Sequence, residues 1–424
     1  QEAMNPLRVF STYGCAGAGV NTLAIERIRN RFYDQKFREN ETKLGEFDTK
    51  AYYCKMIEEY LTDDGKTGFK SIFDKLGEAL QEITKNASSD ATKRAFISQA
   101  KSMADYFNNM YGDLQNLQAD ANDEIKIRVD HINSIAQDLA TVNKQINTIE
   151  INGSTANELR DKRDVLLDEL SAIVDVDVVE DPILDQQGNE TGIYRCIVRI
   201  AGGQVLVDQN EYNQLECVAR AADEKVNQTD IDGLYDVRWT HGPDFGLYNA
   251  SMGGALRGLV QLRDGNNGEY FKGMTTEVIY GGKTSKVTIE TTDAYLNSMM
   301  KCNLSDTGGV INIGDQLYYY TDWSYEGDGV YTFTIDNVKS DEPISSVKNN
   351  KQAVIGNDVR YQGVPYYMEQ MNEWVREFSK KVNDIFTEGL TADGEDAGIL
   401  FTGEVPTKNG QYTEDELNYS RKNG

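Results

Sequence analysis

Between Phe96 and Ile149, apolar residues recur in steps that alternate between three and four almost throughout. They read Phe96, Ala100, Met103, Phe107, Met110, Leu114, Leu117, Ala121 and Ile125, then Val129, Ile132, Ile135, Leu139, Val142, Ile146 and Ile149. A mean step of about 3.5 residues is the seam of a helix packed against other helices. No proline interrupts the run, and Gly112 is its one internal glycine. At ~1.5 Å per residue the rod is roughly 80 Å long, more than twice the width of an ordinary domain. A seam of that length needs partner helices from elsewhere in the chain.

The rest of the sequence supplies them. After an irregular start to about Gly19, a helix is expected from near Asn21 to Leu61, with Ile25, Ile28 and Phe32 on one face. A shorter one carries Ile72, Phe73, Leu76, Leu80 and Ile83. Asn152 and Gly153 suit a left-handed end to the rod, and Thr155 with Glu158 has the spacing of a capping box for a helix over 156–173. The pattern then turns to short alternating pieces. It reverts to helical spacing in Gly253 to Arg263, becomes β-like again from about Glu269 to Arg360, and returns to helix at Val364. In this last helix Met371, Val375, Phe378, Val382 and Ile385 form a second seam.

The expected fold class is therefore α+β and multidomain. An elongated helical bundle stalk (1–172, 253–268 and 362–424) is built from both ends of the chain, with inserted all-β units at 173–252 and 269–361. Leu139, Val142, Ile146, Phe378 and Val382 are its expected seam.

With 69 acidic against 43 basic residues the formal charge is −26, which argues against nucleic acid and anionic membrane as partners. No apolar run approaches the ~18 residues of a membrane span. The five cysteines form no C-x-x-C pair; Cys196 and Cys217, in neighbouring strand-like stretches, are the one pair that could join in an oxidising medium.

No catalytic constellation emerges. The two histidines, His131 and His241, are far apart in sequence, and neither H-E-x-x-H, G-x-S-x-G, a P-loop nor a dinucleotide fingerprint occurs. Asp393 to Asp396 lacks the order of a calcium loop. No catalytic, cofactor-binding or metal-binding residue is assigned, and no cofactor is expected. Tyr318 to Tyr320, Trp323, Tyr325 and Tyr331 could stack on sugar, but aromatic residues in strands are more often core or cross-strand pairs.

At the junction between rod and strands the sequence becomes specific. ELRDKRDVLLDELSAIVDVDVVE, Glu158 to Glu180, resembles the signature of the family of flagellar hook-associated protein 1, through Leu159, Asp161, Arg163, Asp164, Leu167, Glu169, Leu170, Val174 and Val176. SDATKRAFISQAKSMADYFN (Ser89 to Asn108) and GGALRGLVQLRD (Gly253 to Asp264) resemble further segments of that family. NDIFTEGLTADGEDAGILF (Asn383 to Phe401) resembles a stretch of axial flagellar proteins, without its usual histidine.

The resemblance implies a non-enzymatic subunit joining hook to filament in the bacterial flagellum, secreted by type III export. The implied partners are copies of itself in a ring, the hook protein, the adjacent junction protein and, through a C-terminal helix, an export chaperone. It also implies that both terminal helices of the family lie outside this chain, which would leave it monomeric, and that 269–361 is an extra unit. Leu159, Asp161, Arg163, Asp164, Glu169 and Leu170 are the implied structural junction. The charged members are either ion-pair partners at the hairpin base or solvated helix charges. Another axial or flagellin-like subunit, an adhesin, or a carbohydrate-active enzyme hidden in the strands are the competing readings.

Overall fold

The computed structural model describes residues 2–4, 8–11, 14–17, 20–22, 30–63, 65, 68–184, 186–188, 190–220, 226–227, 229–249, 251–265, 271–291, 309–340, 342–355, 361–390, 394 and 398–401. Strands β1 (Glu2–Met4), β2 (Arg8–Ser11), β3 (Gly14–Gly17) and β4 (Val20–Thr22) form two antiparallel pairs, β1 with β4 and β2 with β3. This corrects the expectation of an irregular start followed by a helix from Asn21, because Asn21 lies opposite Ala3 in a strand pair. Helix α1 (Arg31–Leu61) starts where the Asn30 side chain accepts the Phe32 N–H at 3.0 Å. Ile25 and Ile28 lie outside the described residues.

Helix α2 (Phe69–Lys85) leads to α3 (Asp90–Glu150), whose 61 residues make a rod of about 92 Å. Gly153, at φ +79°, reverses the chain into α4 (Asn157–Ile173). A four-stranded antiparallel sheet follows, β5 (Val176–Leu184), β6 (Glu190–Ile200), β7 (Gln204–Asp208) and β8 (Glu211–Tyr212), in sequential order. β9 (Leu215–Ala219) pairs with β10 (Tyr235–Trp239), and α5 (Gly254–Asp264) closes this part of the chain.

A closed antiparallel barrel comes next. Its strands are β11 (Phe271–Ile279), β12 (Thr284–Glu290), β13 (Gly309–Ile313), β14 (Gln316–Gly327), β15 (Val330–Asp336) and β16 (Gln352–Ile355), in spatial order β11-β12-β15-β14-β13-β16. The apolar-rich run from Val310 to Tyr320 is split between β13 and β14, because Gly314 and Asp315 turn with positive φ. Tyr318 and Tyr320 point inward from β14; a bulge between Tyr320 and Asp322 shifts the alternation, and Trp323 also turns in. With Tyr331 these side chains are at most 3 % exposed, so they fill the barrel and offer no sugar-stacking platform. Tyr325 packs its ring 4.9 Å from that of Tyr331. The last helix, α6 (Val364–Thr387), returns to the bundle.

The molecule is thus α+β, with long helices and a closed barrel. Leu139, Ile132, Ile125 and Leu117 on α3 share one apolar cluster with Ile57 of α1, Leu170 of α4, Leu259 of α5 and Met368 of α6. Val198, Leu206 and Val237 belong to the same cluster, so the strands between 176 and 239 are built into the helical core. The barrel has its own cluster around Phe271, Trp323 and Phe333.

The α3 seam is covered in stations. Phe96, Ala100 and Met103 pack with Leu76 of α2 and with Phe378 and Phe386 of α6. Val142 and Ile146 pack with Ala156, Leu159 and Leu166 at the hairpin. The expected seam residues are therefore spread along the rod. Leu139 lies in the large core, Val142 and Ile146 at one end, and Phe378 and half-buried Val382 near the other. Ile149 is 40 % exposed, and its neighbour Glu150 is buried instead.

Candidate functional site

Two polar clusters and a row of amides join the strands to the helices. The amides stand on α3. Gln118 donates to Asp230 Oδ1 (2.7 Å) and to the Arg263 carbonyl (2.9 Å). Asn122 accepts the Tyr235 N–H at 2.8 Å. Asn133 both donates to the Leu215 carbonyl and accepts its N–H, each at 2.8 Å, so it fits the start of β9 as a strand neighbour would. Asn143 donates to the Gln209 carbonyl at 2.8 Å. An apolar count passes over these residues; the available signal was amides placed beside seam positions of a long helix.

The first cluster sits at the base of the α3–α4 hairpin. Thr155 and Glu158 do not form the expected capping box, since Ala156 occupies the N-cap without a side-chain bond. Glu150, the last residue of α3, takes over: Oε1 accepts the Ala156 N–H (3.2 Å) and Arg160 Nε (2.7 Å), while Oε2 accepts Arg160 Nη2 (2.7 Å). Arg160 Nη1 and Arg163 Nη2 each donate to Glu180 Oε1 at 3.0 Å, and Arg31 Nη2 donates to Glu180 Oε2 at 3.0 Å. Arg163 also reaches Asn143 Oδ1 at 3.4 Å. Arg38 of α1 bridges Asp164 (3.3 Å) and Asp168 (2.8 Å) on α4.

Burial would raise the Glu180 carboxyl, but the Arg163 and Arg160 charges outweigh it and hold the carboxyl below its usual range. Glu150 is likewise held down: burial opposes, and the hydrogen bond from Arg160 prevails.

Of the implied junction residues, Arg163 is buried in this cluster and Asp164 is half-buried at its edge. Leu170 is fully buried in the main core, and Leu159 packs at the hairpin end. Glu169 is exposed and meets His131 Nε2 at 3.1 Å; Asp161 is exposed on the outer face. Arg160, Glu150, Glu180 and Arg38 complete the arrangement.

The second cluster lies at the end of α5. Asp264, 1 % exposed, accepts from Arg263 (2.9 and 2.7 Å), from Arg220 (3.1 Å twice) and from the Tyr248 hydroxyl (2.8 Å). Burial alone would raise its carboxyl, but the two guanidinium groups drive it well below the usual range. Asp230 shares the site, and burial together with the Asp264 charge pushes its carboxyl up to about 6. Arg263 also holds Asn122 Oδ1 (2.9 Å) and the Tyr235 carbonyl (2.7 Å), so helix, strand and loop meet at one ion pair.

Chemically these clusters fasten elements together. Glu180 and Asp264 are each saturated by arginine donors, which suits a fixed counter-charge better than a proton acceptor. Among the described residues no three His, Cys, Asp or Glu side chains are grouped to hold a metal. Cys196 and Cys217 are free thiols on strands that are not neighbours, β6 lying between β5 and β7 and β9 pairing with β10. The expected possibility of a bridge is thereby corrected. Asp393, Glu395 and Asp396 lie outside the described residues. Asn383 accepts the N–H groups of Leu400 and Phe401 at 2.9 Å each and ties the returning chain to α6.

The family model described as the flagellar hook-associated protein FlgK helical domain matches residues 54–278, more than half of the chain. Flagellar hook-associated protein 1 of Bacillus subtilis is 32 % identical over 167 residues, which is 39 % of this chain and 33 % of that protein. The protein of the same name from Escherichia coli is 27 % identical over 253 residues, covering 57 % of this chain and 43 % of the relative. The solved flagellar hook junction protein FlgK from Burkholderia pseudomallei superposes with a TM-score of 0.47 at 16 % identity, over 77 % of this chain and 64 % of that one. The chain matches between a third and under a half of the length of these two curated relatives.

Proposed function

The chain belongs to the family of the flagellar hook-associated protein FlgK, and from that premise we propose that it is a structural axial component of the bacterial flagellum, joining hook to filament without catalysis. The observation that carries this reading is the match over 54–278, which spans α3, α4, the second polar cluster and all of the first except Arg31 and Arg38 of α1. A subunit that transmits torque needs its elements held in fixed relation. Glu180, shared by three arginines from α1 and α4, and the α3 amides that grip the strands supply such fixing.

The proposed partners are further copies of this chain, the hook protein and the adjacent junction protein, with a chaperone during export and a final place outside the cell. We also propose Leu159, Asp161, Arg163, Asp164, Glu169 and Leu170 as the structural junction between helical stalk and strands, and 269–361 as an added unit facing outward. Deleting the gene in the source bacterium tests the role. Cells should then build hooks without attached filaments, and the gene supplied in trans should restore them. Normal filaments in the deletion strain would overturn the reading.

A further inference from the structure

Helix α1 packs against α4 and α5 through small and polar residues. Thr42 donates to the Ser171 carbonyl at 2.8 Å, and Gly45 faces the backbone of Ala172 and Ala255. Tyr53 and Ile57, near the end of α1, are buried in the core, but over 33–51 the large apolar side chains lie on the opposite face. Tyr33, Phe37, Leu44 and Phe47 are 69, 49, 51 and 65 % exposed. With Asn40 and Ala51, also exposed, they follow one another in alternating steps of four and three. An amphipathic surface helix normally shows the reverse arrangement, with its apolar stripe against the core.

We propose that this stripe is a self-association surface. In this proposal α1 of one copy pairs with α1 of a second copy, the two helices parallel and in register as a short two-stranded coiled coil.

Three observations select that occupant. The stripe's mean step of about 3.5 residues, held for roughly 27 Å, fits another helix supercoiled along it. Its flanks carry opposite charge. Asp34, Glu41 and Asp48 directly follow the seam residues Tyr33, Asn40 and Phe47, whereas Lys36 and Lys43 directly precede Phe37 and Leu44. In a parallel pair these flanks face each other, so Lys36 of one copy meets Glu41 of the other and Lys43 meets Asp48. An antiparallel pair would set lysine against lysine and acid against acid. Finally, Asn40 would face Asn40 in an in-register parallel pair, where the two amides can bond each other, whereas a shifted or antiparallel pair would set each amide against apolar side chains.

Lys36 now reaches Glu39 at 2.5 Å in an exposed pair of the kind that exchanges at little cost. Lys50 takes no part, because it bonds Glu46 and lies 4.9 Å over the Tyr361 ring.

Half of an aromatic side chain is about 100 Å², so the stripe offers roughly 400 Å² of apolar area per copy. With the lysine stems a pair would bury roughly 1,000 Å², at the weak end of specific interfaces. Two copies should therefore associate weakly. The pairing rests on α1 alone. Both copies use the same face, so the pair closes at two and is additional to any contact that would arrange copies in a ring.

Sedimentation equilibrium of the whole chain between about 5 and about 500 µM tests it. The wild type should form a dimer with a dissociation constant on the order of 100 µM, and Phe47→Asp should abolish it. A Lys36→Glu/Lys43→Glu chain and a Glu41→Lys/Asp48→Lys chain should each dimerise at least about tenfold more weakly. Their mixture should form a heterodimer, and a chain carrying all four changes should regain wild-type dimerisation. Because these side chains are on the surface, unchanged helix content in every variant is expected. A wild type that stays monomeric to about 500 µM, or a dimer indifferent to Phe47→Asp and to both charge variants, would overturn the proposal. Neither result would bear on the axial role, which the gene deletion tests separately.

Discussion

A Cβ atom added to Gly45 of α1 would stand 2.1 Å from the Ala172 carbonyl oxygen of α4. The two backbones meet so closely that α1 can seat only through a residue with no side chain. Gly45→Ala should therefore push α1 off α4 and α5 and cost about 1–3 kcal/mol, read by urea unfolding. Gly112 in α3 has nothing within 4 Å of its would-be Cβ, so Gly112→Ala should stabilise by about 0.5–1 kcal/mol through helix propensity. Equal effects from the two substitutions would contradict this packing.

Glu180 is the shared acceptor of Arg31, Arg160 and Arg163. Glu180→Gln leaves the nearly buried Arg163 facing a neutral amide and should cost about 2–4 kcal/mol. Glu169→Gln, at the exposed pair with His131, should cost less than about 1 kcal/mol. Comparable losses would mean that the cluster is ordinary surface charge.

Acid should act on stability in two opposed steps. The Glu150, Glu180 and Asp264 carboxyls are lowered by the fold, so their stabilisation is full above the unfolded values of about 3.9–4.3 and is lost as pH falls through the lower folded values. Asp230 works the other way. Its folded value of about 6 exceeds the unfolded ~3.9, so the native state binds its proton first and stability rises as pH falls from above 6 towards 4. That difference is worth about 3 kcal/mol. Thermal unfolding of the wild type against Asp230→Asn should show the rise only in the wild type. Parallel profiles between pH 5 and 7 would refute it.

The Gly363 N–H donates to the Gly265 carbonyl at 3.0 Å, so the chain leaves α5 for the barrel and re-enters α6 at adjacent points. We propose that the barrel is a separable unit. Replacing 266–360 with a short glycine linker should change the stability of the remainder by no more than about 1 kcal/mol. Trp323→Ala in the intact chain should cost the barrel about 3–5 kcal/mol and split unfolding into two transitions. Collapse of the helical part in either variant would contradict separability.

The rod and its hairpin could be read from sequence because apolar spacing reports burial directly, as Leu117, Ile125, Ile132 and Leu139 do. The pairing of distant elements could not. Arg263 and Asp264 adjoin in sequence and look like ordinary helix-end charges, yet Arg220 and Tyr248 converge on them from other parts of the chain. Thr155 and Glu158 fitted a capping rule, but a carboxylate arriving from α3 reached the helix start instead. Trp323 entered the barrel through a bulge, which strict alternation hides. The outward stripe of α1 also escaped, because spacing alone cannot tell which face a helix turns to its neighbours.

The central claim concerns position in the organelle, and labelling tests it most directly. Antibodies against the barrel, residues 271–355, should mark isolated flagella in a single band at the boundary between hook and filament. Label spread along the filament, or on the cell envelope away from flagella, would contradict the account.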